Sequence, residues 1–158
     1  MRLCVSRCLL GDPCRYDGRS KPLPSGALPA DATVVPVCPE LEAGLGCPRE
    51  PIELVGADPG EPPRVLGVTS RRDVTAALRH AAESLAERLA ADAAGPPDAF
   101  VLKDRSPSCG LHTPLHDPAT GEVVAHVPGA WAATVLRRFP GTPVFTEETL
   151  PRRAGGGR

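Results

Sequence analysis

An α/β fold is predicted for this chain: a single compact domain with a mostly parallel, Rossmann-like central sheet flanked by helices. Three features carry that expectation. The runs at 33–37 and 99–103 are apolar apart from Thr33 and Lys103 at their ends, rather than alternating, as strands buried on both faces are. Between such runs lies a long segment of helical periodicity, at about 73–93. Strands that alternate with helices favour a largely parallel sheet.

The elements follow in order. A first strand is expected at 2–6, running straight into a loop that carries Cys8 and Cys14. The β-branched run 33–37 is a second strand and leads into Cys38-Pro39-Glu40, then a Gly-rich stretch to Cys47. Short strands fit 52–55 and 64–68. In the long helix, Val74, Leu78, Ala81, Leu85 and Leu89 recur on one stripe, with Arg79, Glu83, Glu87 and Arg88 mostly off it. Ser70 and Asp73 resemble a capping box at its start, and Gly95-Pro96-Pro97 stops it. A strand at 99–103 comes next, then a loop and a hairpin that turns at Pro118-Ala119-Thr120-Gly121. A second helix fits 129–138, closed by Pro140-Gly141, and 143–146 is a last strand. Residues 1–150 thus make one domain. The tail, 151–158, cannot bury apolar surface and is predicted disordered.

Composition narrows the function. The chain has 158 residues, 41% of them hydrophobic, with one Trp, one Tyr and three Phe. Its core is therefore mostly Val, Leu and Ala, and it is large enough to fold without disulfides. A net charge of −1 gives no basic excess, which argues against a nucleic-acid polymer as partner. No apolar run is long enough to span a membrane, and the first residues lack the apolar stretch of a signal peptide. A cytoplasmic, reducing location is the expectation. There, six cysteines are better read as ligands, nucleophiles or small core residues than as a disulfide framework.

The cysteines divide by context. No C-x2-C pair of the structural zinc type occurs. Cys4, inside a strand, reads as a small core residue. Cys14, beside Arg15, is either a reactive thiolate or a packed loop residue. Cys38, at a strand end before Pro39, reads as structural. Cys8, Cys47 and Cys109 each follow an apolar strand-like run, and strand ends in an open α/β sheet converge on one crevice. Each is also followed by Gly11, Pro48-Arg49 or Gly110, segments suited to a bound anion or cluster. A shared metal site and ordinary buried thiols are both compatible with the spacing.

A family resemblance separates these readings. The strings Cys8-Leu9-Leu10-Gly11-Asp12-Pro13-Cys14-Arg15-Tyr16-Asp17-Gly18, Cys38-Pro39-Glu40, Arg105-Ser106-Pro107-Ser108-Cys109-Gly110 and Trp131-Ala132-Ala133-Thr134-Val135-Leu136 resemble those of the bacterial 2-thiouracil desulfidases. The likeness runs from about residue 3 to 147. It implies a [4Fe-4S] cluster held by three cysteines, with one iron not ligated by protein and open to the substrate sulfur. Carried onto this chain, the implied ligands are Cys8, Cys47 and Cys109, with Cys47 the position on which the enzyme reading turns. The implied substrate is a small thiolated heterocycle, whose thiocarbonyl becomes a carbonyl with release of hydrogen sulfide.

Such a reaction needs a proton carrier, for which Glu40 is the first candidate. Its alternative role is a loop carboxylate accepting backbone N–H bonds. Ser106 and Ser108 are candidates to orient water or substrate, or else cap the turn around Pro107. Lys103, Asp104 and Arg105 form a charge cluster that is structural or steadies an anionic intermediate. His112 and His116 fit surface or hairpin positions. Two other readings stand beside the enzyme. One is a non-catalytic metal- or Fe–S-binding protein acting as sulfur carrier or regulator. The other is a hydrolase with Cys109 as nucleophile, which requires a partnering histidine. The oligomeric state cannot be read from these residues.

Overall fold

The computed structural model describes residues 1–151, so the tail expected to be disordered lies, after Pro151, outside the described residues. Its strands are β1 (Arg2–Ser6), β2 (Thr33–Val37), β3 (Ile52–Val55), β4 (Arg64–Gly67), β5 (Ala99–Leu102), β6 (Thr113–His116), β7 (Val123–Val127) and β8 (Val144–Thr146). The α-helices are α1 (Pro39–Glu42), α2 (Thr75–Ala91) and α3 (Ala130–Arg138), and a 3-10 turn covers Arg7–Leu10.

β1, β2, β5 and β8 form the expected parallel sheet, in the order β2-β1-β5-β8. Its inner strands are apolar on both faces because both faces are covered. Cys4, Phe100 and Leu102 face α2 and α3, where they meet Leu85, Leu89, Trp131 and Phe139. Phe100 is the centre of that layer, edge-on to Trp131 at 6.2 Å and tilted against Phe139 at 5.1 Å. The opposite face, with Leu3, Val5, Ala99 and Val101, lies under Leu9, Cys14, Leu23 and Leu28. Among the described residues Leu41 of α1 is the one α-helical residue packed in this layer. The β1–β2 connection carries Pro13, Pro22, Pro24 and Pro29, and Gly11, Gly18 and Gly26 at positive φ, so it runs as irregular chain. α2 and α3 thus flank one face of the sheet, while a proline-rich loop, together with Leu41 of α1, covers the other.

The short middle strands build a second sheet, ordered β4-β3-β6-β7, with only the β3–β6 pair parallel. Leu54, Val65 and Leu115 pack from it onto Val74 and Leu78 at the start of α2. That start is held differently from the expected capping box. Asp73 Oδ1 accepts the Thr75 N–H at 2.9 Å, while the Ser70 hydroxyl turns to Glu50. A carboxylate that accepts the N–H two residues further on makes an Asx turn, which leaves Ser70 free to tie the β4–α2 loop to Glu50.

Sheet order fixes where a site forms. The chain leaves β1 for β2 on one side and returns to β5 on the other, so the connections diverge at the carboxyl ends of β1 and β5. A crevice opens at such a reversal because loops lead away from it in both directions. Ser6 and Lys103 close the inner end of this one, with the Ser6 hydroxyl accepting the Lys103 N–H at 3.0 Å.

Candidate functional site

A cavity of 430 Å³ occupies that crevice. Four thiols line it: Cys8, Cys14, Cys38 and Cys109. Three of them come from three adjacent strands of the parallel sheet. Cys38 directly follows β2, Cys8 sits in the 3-10 turn after β1, and Cys109 ends the loop after β5. Cys14 arrives from the irregular β1–β2 connection.

Cys47, expected in the same crevice, is not there. After Cys38 the chain makes the single turn of α1 and passes Gly44 and Gly46, both at positive φ, which carry it to the surface. Cys47 is exposed, and its thiol donates to the carbonyls of Pro13 at 3.2 Å and Arg15 at 3.4 Å. Cys38, read from sequence as structural, takes the strand-end position instead. The signal was present in its adjacency to β2.

Glu40, Ser106 and Ser108 do come together in the cavity. Glu40 is buried at the first turn of α1. Its Oε2 accepts the Ser108 hydroxyl at 2.8 Å, and Ser106 and Ser108 Oγ lie 3.1 Å apart. Its Oε1 accepts Arg49 Nε–H at 2.9 Å, a pair whose side chains are 7% and 11% exposed. Arg49 also donates to the carbonyls of Gly46 at 2.7 Å and Cys14 at 3.0 Å. Sequence reasoning missed Arg49 as a partner of Glu40, since nothing local links the two. Ser106 additionally accepts the Cys109 N–H at 3.1 Å, so it caps the turn while facing the cavity.

The loop bearing these serines is built around buried Asp104. Its Oδ1 accepts N–H groups of Arg105, Leu111 and His112 at 2.9–3.0 Å, and its Oδ2 meets His112 Nδ1 at 2.9 Å. Burial pushes this carboxyl up, but the bonds from His112 and Arg105 outweigh it and hold the group below the ordinary range. Asp104 is therefore the structural member of the charge cluster, and His112 its exposed partner. Arg105, at φ +59°, is the strained step that re-aims the chain toward Ser106.

The loop is also pinned to α3, where Trp131 and Ala132 N–H donate to Ser108 O at 2.8 and 3.2 Å. Gly110 sits within this junction. A Cβ there would meet Thr113 Oγ1 and lie 2.7 Å from both Arg105 N and Ser106 O. Because two of those atoms are backbone, Gly110→Ala is expected to destabilise the protein by about 1–3 kcal/mol. A lower urea midpoint at unchanged slope is the measurement that checks it.

Burial raises the cavity thiols, Cys8 to about 11, Cys14 to about 12 and Cys109 further still. Left to themselves they are neutral and poor nucleophiles. No histidine lines the cavity among the described residues. Both facts weigh against Cys109 as a hydrolase nucleophile. A cationic centre that binds thiolates would draw the protons off. The donor set is soft sulfur, which suits iron–sulfur clusters. Among the described residues no three His, Cys, Asp or Glu side chains close on a single ion, and thiols spread round a cavity of this size fit a polynuclear centre.

A parallel α/β sheet with cysteines at the ends of three neighbouring strands is an arrangement whose chemistry suits such a centre beside a small ligand. The comparisons with known proteins agree. The family model described as 2-thiouracil desulfurase matches residues 3–148, and the chain belongs to that family. It is 31% identical to the uncharacterized protein YbbK of Bacillus subtilis (strain 168), over 94% of this chain and 97% of that one. Its fold matches the solved structure of the [4Fe-4S]-dependent thiouracil desulfidase TudS with a TM-score of 0.73. That match has 37% identity and covers 95% of this chain and 93% of the other.

Proposed function

We propose that this protein is a [4Fe-4S]-dependent desulfidase that converts the thiocarbonyl of a small thiolated heterocycle to a carbonyl and releases hydrogen sulfide. The observation that carries the reading is the convergence of strand-end thiols and a Glu40–Ser108 pair on one cavity, in a chain of this family. The ligands we assign are Cys8, Cys38 and Cys109, one from each of three adjacent strands, which leaves one iron without a protein ligand. When bound, the cluster supplies a Lewis-acidic iron with affinity for soft thiocarbonyl sulfur.

The protein's own groups do the rest. Arg49 holds Glu40 by Oε1, so Oε2 is left to the serines. Through the Ser108 hydroxyl, Glu40 takes a proton from water that attacks the carbon and returns it toward the departing sulfur. Ser106, fixed by the Cys109 N–H, orients that water. The balance is a thiocarbonyl plus water giving a carbonyl plus hydrogen sulfide, with no external electrons. A reducing, cytoplasmic compartment would keep the six cysteines free, as they are here. Among the described residues no helix is long and apolar enough to cross a membrane.

Anaerobic purification tests the proposal. Brown protein is expected, with roughly four irons per chain and many equivalents of sulfide released from 2-thiouracil. Release of a single equivalent would make the protein a sulfur carrier. Colourless protein without iron would overturn the assignment.

A further inference from the structure

The segment from Pro13 to Tyr16 forms a wall of the cavity yet contributes nothing to the steps above. It is irregular chain, but it is not loosely held. Cys47 Sγ donates to Pro13 O and Arg15 O, Arg49 Nη2 donates to Cys14 O, and Arg49 N donates to Tyr16 O at 2.8 Å. Four consecutive carbonyls are thus gripped by two residues, Cys47 and Arg49, of one facing irregular segment. A turn closes the far side, where Gly18 N–H donates to Arg15 O at 2.9 Å and Arg15 N–H to Arg19 O at 3.1 Å.

The clamped wall presents Tyr16. Among the described residues it is the sole aromatic lining the cavity, it is 42% exposed, and the Arg15 guanidinium lies 5.8 Å from its ring centroid. An exposed aromatic ring at the edge of an open cavity leaves apolar area uncovered unless a ligand covers it. A planar heterocycle is the ligand shape that does so, because stacking needs a flat partner and tolerates variation in its edge groups. Pro51 and Ile52 supply apolar surface in the same cavity.

We propose that Tyr16 is the specificity-determining residue of this site, a stacking platform that selects planar heteroaromatic thiocarbonyl compounds over acyclic thioamides, and that Cys47 and Arg49 are positioning residues that fix the platform. The proposal rests on the desulfidase reading for its substrate class. It also gives exposed Cys47 a purpose that ligation does not, since its thiol is spent on two carbonyls at the back of the wall.

The test compares 2-thiouracil with thioacetamide on anaerobically purified holoprotein. Tyr16→Leu is expected to raise KM for 2-thiouracil about tenfold, the scale of one lost base–aromatic stack, while KM for thioacetamide stays put. Tyr16→Phe, which keeps the ring, restores the preference. Cys47→Ala moves the 2-thiouracil KM in the same direction by about threefold, as loss of one weak hydrogen bond would, with the iron content of the parent. Equal changes for both compounds in Tyr16→Leu, or an unmoved KM for 2-thiouracil, would overturn the platform. If the parent releases sulfide from neither compound, the desulfidase reading fails. Equilibrium dialysis of 2-thiouracil against parent and Tyr16→Leu then decides recognition by itself, and equal binding to the two defeats it.

Discussion

Cys38→Ser strips the protein of its iron and abolishes sulfide release, whereas Cys47→Ser keeps its iron. The expectation follows from where the strands end. β2, β1 and β5 are neighbours in the sheet, and Cys38, Cys8 and Cys109 stand at or beyond their carboxyl ends around one cavity. A serine at position 38 leaves two strand-end thiols and offers a hard hydroxyl in place of soft sulfur. Outer partners of metal ligands alone are worth roughly 10–100-fold in affinity or activity, so loss of a ligand is expected to exceed about a hundredfold. The Cys47 thiol, by contrast, is hydrogen-bonded to the backbone carbonyls of Pro13 and Arg15. Iron and acid-labile sulfide per chain, measured after anaerobic purification, check the pair of variants. Iron retained in Cys38→Ser but lost in Cys47→Ser would return the third ligand to Cys47 and undo the strand-end assignment.

The contrast between these two cysteines shows what the sequence carries and what it does not. The parallel sheet was legible because β1 and β5 are apolar on both faces, a pattern that burial imposes directly. β2, expected to be buried on both faces, is instead a half-exposed edge strand whose Val34 and Val35 reach opposite core layers. The long helix was legible from Leu78, Leu85 and Leu89 for the same reason. The rule that strand ends meet was also sound, and it named Cys8 and Cys109. It also pointed to Cys47, which is exposed and away from the cavity lining because α1 lies between that residue and β2. Four residues are too few to show periodicity, and Pro39 at the first helical position marks a start that reads equally as a loop. Gly44 and Gly46 then redirect the chain by backbone conformations that sequence only hints at. The same holds for the second sheet, whose β3–β6 pairing joins segments far apart in the chain. Glu40, Ser106 and Ser108 were legible as residue types suited to proton transfer. Their mutual bonds, and Arg49 behind them, depend on tertiary closure that local pattern does not encode.

Arg49 therefore sets up the second large effect. Arg49→Met is expected to destabilise the holoprotein by about 3–5 kcal/mol, because it leaves the buried Glu40 carboxylate without its cation. The size depends on burial. Arg64–Asp73, at 3.4 Å with side chains 62% and 48% exposed, is the comparison. Solvent screens such a pair, so Arg64→Met should change stability by less than about 1 kcal/mol. Arg49 also satisfies the Gly46 and Cys14 carbonyls, and those losses add to the first. In thermal unfolding the deficit corresponds to a drop of roughly 10 °C for a chain of this size. If the uncompensated charge is the main cost, Glu40→Gln in the Arg49→Met background recovers part of the stability, since it removes that charge while keeping an acceptor for Ser108. A double-mutant cycle with coupling above about 1 kcal/mol supports that account. Additive losses would assign the effect to the carbonyl contacts instead. Turnover separates the roles further. The double variant regains stability but not sulfide release, because an amide at position 40 cannot carry the proton.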